Sequence, residues 1–160
     1  MINIDYDTLH YLTCELVDKI DPSVRDTIDY VAAPARGGLI PGVIISHMLQ
    51  KPLIPLVWSN RNHDMQHHNE FLAEKLYTGS IVLLLDDIND SGRTFIEITS
   101  DLMYDDPHPN IPSGTLITAA VFQRHNTKFP CNLYARLVED DAWVNFPYEQ
   151  LKVNSHDSDH

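Results

Sequence analysis

The chain has 160 residues, of which 43% are hydrophobic and 21% charged, the composition of one compact globular domain and not of a disordered segment. Lys and Arg total 11 against 23 Asp and Glu, a formal charge of −12, which leaves little cationic surface for the counter-ion release behind nonspecific nucleic-acid binding. No apolar run approaches the roughly 20 residues that cross a bilayer, so no membrane span is expected.

The opening MINIDYDTLHYL is acidic and polar and does not read as a secretory signal. Leu9, Leu12, Leu16, Val17 and Ile20 recur at helical spacing, which predicts a helix over 6–20 capped by Asp5 or Asp7. Residues 30–33 read as a strand running into a glycine-bearing turn, and Pro41 suits the first position of a helix over 41–50. Residues 53–57 form a second expected strand. Residues 58–72 are polar and unpatterned, as in a long mobile loop. His63 and His67 stand four apart there, but without a third ligand of settled geometry they read as solvated side chains and not as a zinc site.

Residues 80–85 are apolar without alternation, as in a strand at the middle of a parallel sheet. Ile96, Ile98 and Leu102 predict a helix over 94–103, followed by a strand over 114–122 and an edge strand over 133–137. Strands alternating with helices imply a single α/β domain, mainly parallel sheet flanked by helices, over 1–153, with a polar disordered tail over 154–160. Cys14 and Cys131 are far apart and lack CxxC spacing, so they read as free thiols in a reducing cytoplasm.

Most of the chemical signal follows the third expected strand, in Leu83-Leu84-Leu85-Asp86-Asp87-Ile88-Asn89-Asp90-Ser91-Gly92-Arg93-Thr94. Ligands of parallel α/β sheets sit beyond the carboxyl ends of the strands, which is where Asp86 and Asp87 are expected. Such carboxylates accept hydrogen bonds from sugar hydroxyls and hold Mg²⁺ directly or through water. Ser91 to Thr94 then make a hydroxyl- and glycine-bearing turn into a helix, whose free N–H groups and dipole favour a phosphate. An acid pair alone reads equally as a strand–helix turn with Asp90 as a cap; the ordered twelve-residue string separates the two readings.

This string resembles the phosphoribosyl pyrophosphate (PRPP) signature of type I phosphoribosyltransferases. The resemblance implies that Asp86 and Asp87 take the ribose hydroxyls and Mg²⁺, while Asp90, Ser91, Gly92, Arg93 and Thr94 surround the 5′-phosphate. Asp90 matches the acid beside the base in the 6-oxopurine branch, and is the expected catalytic residue. Ala35, Arg36, Gly37 and Gly38 resemble the family's pyrophosphate loop, in which the Ala35–Arg36 peptide would be cis. The segment Trp143-Val144-Asn145-Phe146-Pro147-Tyr148-Glu149 resembles the base-binding hood of xanthine–guanine and hypoxanthine enzymes. Trp143 would stack on the purine and Val144 would meet its pyrimidine edge through the main chain. Arg124 stands where the family usually has Lys to meet the 6-oxo group, with Gln123 as the alternative contact. The family's flexible lid often has a Ser-Tyr pair, where this chain has Ser59, Asn60 and Arg61.

The expected activity is therefore that of a cytoplasmic Mg²⁺-dependent glycosyltransferase of purine salvage. It moves the phosphoribosyl group of PRPP to hypoxanthine, guanine or xanthine and works as a dimer or tetramer. The alternatives are a PRPP-sensing regulator of nucleic acid, disfavoured by the charge of −12, and a phosphoribosyltransferase with a pyrimidine or other acceptor.

Overall fold

A computed structural model describes residues 1–59, 61–103 and 114–150. The expected tail at 154–160 lies outside the described residues. Helix α1 (Tyr6–Asp18) follows strand β1 (Ile2–Asn3), and Asp5 caps the helix by accepting from the Thr8 N–H at 2.7 Å. Its buried Leu9, Leu12, Leu16 and Val17 keep the spacing read from the sequence. A one-turn helix, α2 (Pro22–Arg25), begins at Pro22 with Asp21 as its cap.

Strands β2 (Tyr30–Pro34), β3 (Leu53–Leu56), β4 (Ile81–Asn89), β5 (Thr115–Arg124) and β6 (Leu133–Val138) form one sheet in the order β3-β2-β4-β5-β6. Every pairing in it is parallel. Residues of β4 alternate between two apolar layers: Leu83 and Leu85 pack with α1 and Ile45 of α3 (Leu39–Leu49). Val82 and Leu84 pack with Leu72 and Leu76 of α4 (Glu70–Tyr77) and with Phe95, Ile98 and Leu102 of α5 (Arg93–Met103). The sheet is thus covered on both faces, which is why its central strands read as unbroken apolar runs.

The strand order fixes where a ligand can enter. From β2 the chain moves outward to β3 and then returns to β4 on the other side of β2. The helices that follow β2 and β4 pass over opposite faces, so a crevice opens past the carboxyl ends of those two strands. β2 runs into residues 35–38 there, and β4 runs into residues 90–92.

Four local differences from the sequence reading have physical causes. Helix α3 starts at Leu39, so Pro41 is its third residue, still within the first turn where a missing N–H costs nothing. Strand β4 does not stop at Leu85: Asp86, Ile88 and Asn89 remain paired with Ala120, Phe122 and Gln123. Residues read as loop up to 72 include the start of α4, whose cap Asn69 accepts from the Leu72 N–H at 2.8 Å and whose inward face is little more than Leu72 and Leu76. The polar N-terminus supplies β1, which pairs in parallel with β7 (Val144–Asn145).

Candidate active site

Asp86 and Asp87 lie near the carboxyl end of β4 with only 9% exposure each. The carboxylate of Asp86 accepts from the Asp87 N–H at 2.9 Å, and that of Asp87 from the Ile88 N–H at 2.8 Å. Burial, and then the neighbouring Asp87 charge, push Asp86 well above the usual carboxylate range. The loop after β2 lies directly on this pair. A Cβ on Gly37 would stand 2.0 Å from Asp87 Oδ2, and one on Gly38 2.9 Å from Asp86 Oδ1, so only glycines let the loop approach. The Ala35–Arg36 peptide bond in this loop is cis.

Past β4 the turn 90–92 leads into α5. Gly92 has φ 87°, and a Cβ there would meet the Phe129 N at 2.7 Å, which accounts for glycine at this position. Ser91 Oγ accepts from the Arg93 N–H at 3.3 Å. Asp90 and Thr94 line the crevice; the side chains of Ser91 and Arg93 do not. The Arg93 guanidinium instead lies along α5, with Nε donating to Glu97 Oε1 at 2.5 Å and Nη2 3.2 Å from His63 Nε2.

Glu97 also accepts from Trp58 Nε1 at 3.3 Å and from Gln66 Nε2 at 3.0 Å, and Asp101 pairs with His68 at 2.9 Å. These bonds tie the segment carrying Trp58, Ser59 and Arg61, all three lining the crevice, to α5. The loop histidines take their places in this tie: His63 beside Arg93 and His68 against Asp101.

At the other end stand Arg124, Trp143, Val144, Phe146 and Tyr148. Arg124 Nε donates to Asp90 Oδ1 at 2.5 Å, and its Nη1 donates to the carbonyls of Glu139, Asp140 and Ala142 at 2.9, 3.0 and 2.7 Å. Gln123 faces the other way: its carbonyl oxygen accepts from Asn89 Nδ2 at 3.1 Å and from the Cys131 N–H at 2.8 Å, within the core. Cys131 is correspondingly inert, its thiol pushed up to about 12 by burial. The Trp143 ring is 59% exposed over the crevice. Trp143 and Asn145 give their carbonyls to Ile2 and Ile4 at 2.7 and 3.0 Å, so alternation along β7 turns the Val144 main-chain groups away from β1.

Tyr148 is the residue whose part the sequence reading missed. Its hydroxyl donates to Asp87 Oδ2, and its ring stacks on Phe146 with centroids 5.3 Å apart. Burial, and then the Asp87 charge, raise its ionisation far out of reach. Trp58, in a segment whose sequence reads as a polar loop, lines the crevice as well. In all, a crevice of 810 Å³ brings together Asp86, Asp87, Asp90, Thr94, Ala35, Arg36, Gly37, Arg124, Trp143 and Val144. Gly38 supports it from beneath, against Asp86.

A family model described as the phosphoribosyl transferase domain matches residues 10–150 of this chain. The chain belongs to that family. A stretch of 88 residues, 55% of this chain, is 34% identical to the orotate phosphoribosyltransferase of Bartonella quintana (strain Toulouse) and covers 43% of that protein. The chain therefore spans less than half the length of that curated relative. The purine phosphoribosyltransferase of Pyrococcus horikoshii Ot3 superposes with a TM-score of 0.73 at 20% identity, over 95% of this chain and 96% of the other. The xanthine-guanine-hypoxanthine phosphoribosyltransferase of Helicobacter pylori superposes at 0.68 with 17% identity, over 93% and 94% of the two chains. At these identities the likeness is one of fold.

The donor set of this phosphoribosyl transferase domain would suit a hard cation that draws most of its ligands from elsewhere. Among the described residues no group of three or more His, Cys, Asp or Glu is placed to hold a metal. Asp86 and Asp87 offer two adjoining buried carboxylates, which fits Mg²⁺, an ion that takes one or two carboxylates and completes its shell with water and phosphate oxygens. Among the described residues no helix is long and apolar enough to cross a membrane.

Proposed function

We propose that this domain transfers the phosphoribosyl group of PRPP to a 6-oxopurine and releases pyrophosphate. The observation that carries this reading is one crevice with a buried acid pair and two glycine-bearing turns at one end and an exposed indole at the other. In the reaction, the bond from ribose C1′ to the pyrophosphate oxygen breaks, a bond from C1′ to the base nitrogen forms, and the base loses a proton.

Each part of the site has a task in that sequence. Asp86 and Asp87 accept the ribose hydroxyls, and the main chain of residues 91–94 at the start of α5 holds the 5′-phosphate. Arg36 and the Gly37 and Gly38 amides receive the charge that builds on the departing pyrophosphate. Mg²⁺ held by Asp86 and Asp87, directly or through water, would supply further neutralisation of that charge. Trp143 stacks on the base, Val144 meets its edge through the main chain, and Arg124 turns its remaining Nη2 toward the exocyclic oxygen. Asp90 accepts the hydrogen bond or proton of N7. Positioning and electrostatics carry the rate, without a covalent intermediate on the protein.

A pyrimidine acceptor is the second reading, favoured by the 34% identity to an orotate phosphoribosyltransferase. Pyrophosphate release measured with PRPP and Mg²⁺ against hypoxanthine, guanine, xanthine and orotate decides between them. Turnover with the oxopurines and not with orotate is expected, lost on chelation of the metal. Turnover with orotate alone would move the acceptor to a pyrimidine, and no release with any base would remove the activity.

A further inference from the structure

The most heavily engaged side chain at the base end is Arg124, the last residue of β5, whose side chain is only 10% exposed. Its guanidinium stands at the end of the middle one of three neighbouring strands and joins the segments that leave the other two. Nε reaches Asp90 after β4, while Nη1 gathers the carbonyls of Glu139, Asp140 and Ala142 just before Trp143. The turn 139–142 has few other ties to the body. Its Ala142 N–H folds back on the Glu139 carbonyl at 3.1 Å, Asp140 accepts from the Asn126 N–H at 3.0 Å, and Glu139 stands 3.7 Å from His125 at the surface. Trp143 itself is 59% exposed, so side-chain packing holds it only in part. Its main chain is held on either side: the Ala142 carbonyl on Arg124 and the Trp143 carbonyl on the Ile2 N–H.

We propose that Arg124 is the positioning residue of the hood: one buried guanidinium fixes the 139–142 turn against Asp90 and thereby sets the height of Trp143 over the base. The inference rests on reading this end of the crevice as the base subsite. A lysine cannot replace it, because a single ammonium nitrogen cannot stand at the Nε and Nη1 positions together, whereas the planar fork reaches both sets of acceptors at once. Uncoupling the two would leave either Asp90 or the turn without its partner.

Two variants test this, Arg124→Lys, which keeps charge and bulk, and Arg124→Met, which removes every donor. In both, hydrogen exchange of the amides in residues 139–145 is expected to quicken about tenfold or more while residues 82–88 keep their protection. The KM for the base is expected to rise about tenfold or more with the KM for PRPP held within about twofold. Unchanged exchange in the hood would overturn the proposal, and so would a raised base KM with unchanged exchange, which would make Arg124 a direct base contact only. Should Arg124→Met fail to fold, Arg124→Lys decides the matter alone. If the wild-type protein turns over no base, the reading of the activity falls, and the exchange measurement still decides the positioning of the hood.

Discussion

Asp86 is the residue at which the fold works against itself. Its carboxyl is buried beside a second carboxyl, and Gly38 presses a loop onto it, conditions that an unfolded chain never imposes. Whether it holds a proton or a charge at neutral pH, the raised ionisation means that folding costs free energy there. Asp86→Asn removes that cost while keeping the shape. Its thermal midpoint is expected to rise by about 2–4 °C, the shift that roughly 1 kcal/mol gives in a domain of this size. Its kcat/KM is expected to fall about a hundredfold, the scale on which one preorganised charge partner acts. Scanning calorimetry beside a pyrophosphate-release assay checks both, and a variant that melts lower or keeps its activity would contradict the assignment. Asp86 and Asp87 were legible in the sequence because their neighbours in the chain carry the same message. Tyr148 was not, because its partner Asp87 lies 61 residues away and a phenol in an aromatic string gives no sign of a carboxylate waiting across a crevice.

At the scale of elements, α5 does two jobs. Its first turn borders the crevice through Thr94, and Glu97 and Asp101 one and two turns after Arg93 hold Trp58, Gln66 and His68. Burial alone would raise Glu97, but the bonds from Arg93, Trp58 and Gln66 outweigh it and hold the carboxyl below its ordinary value of 4.5. A depressed folded value means that the tie is fully present above about pH 4.5 and is lost as the pH falls through the lower folded value. Glu97→Gln is therefore expected to loosen this segment at neutral pH. Hydrogen exchange over residues 61–68 should quicken roughly two- to fivefold, the effect of a partly exposed pair worth about 0.5–1 kcal/mol. The wild-type protein should approach the same rates, after correction for intrinsic exchange, when taken below that pH. Exchange that ignores both the substitution and the acid would mean that Glu97 tethers nothing. Here the sequence was less informative. Residues 58–72 carry no periodic apolar pattern, since the segment is held by polar bonds, and α4 shows only two inward leucines. Strand β4 was cut short for the opposite reason, because a carboxylate pair looks like a strand's end when burial cannot be seen.

For the whole molecule, the five-stranded parallel sheet was readable, since its apolar runs, helical spacings and glycine turns all point one way. The hood was readable only in part, because half of its small sheet comes from Ile2 and Asn3, at the far end of the sequence. Ile4 is buried at 5% exposure and its carbonyl accepts from Gln150 at 3.0 Å, so the first residues fasten the last described ones. Removing residues 1–4 is expected to cost about 2–3 kcal/mol through lost apolar burial and ladder bonds. That would lower the thermal midpoint by roughly 5–10 °C, with a weakened hold on the base and little change in that on PRPP. A truncated protein with an unaltered midpoint would show that the small sheet contributes nothing.

That small sheet also imposes an order of events on the newborn polypeptide. Asn3 and Asn145 meet at a sequence separation of 142, among the longest closures this chain can make. While the chain is still being translated, the large sheet can take shape from residues already outside the ribosome, but the small sheet has only one of its halves. The crevice is therefore completed last, and a message truncated before Trp143 would yield a body lacking both the exposed indole and the phenol that reaches Asp87.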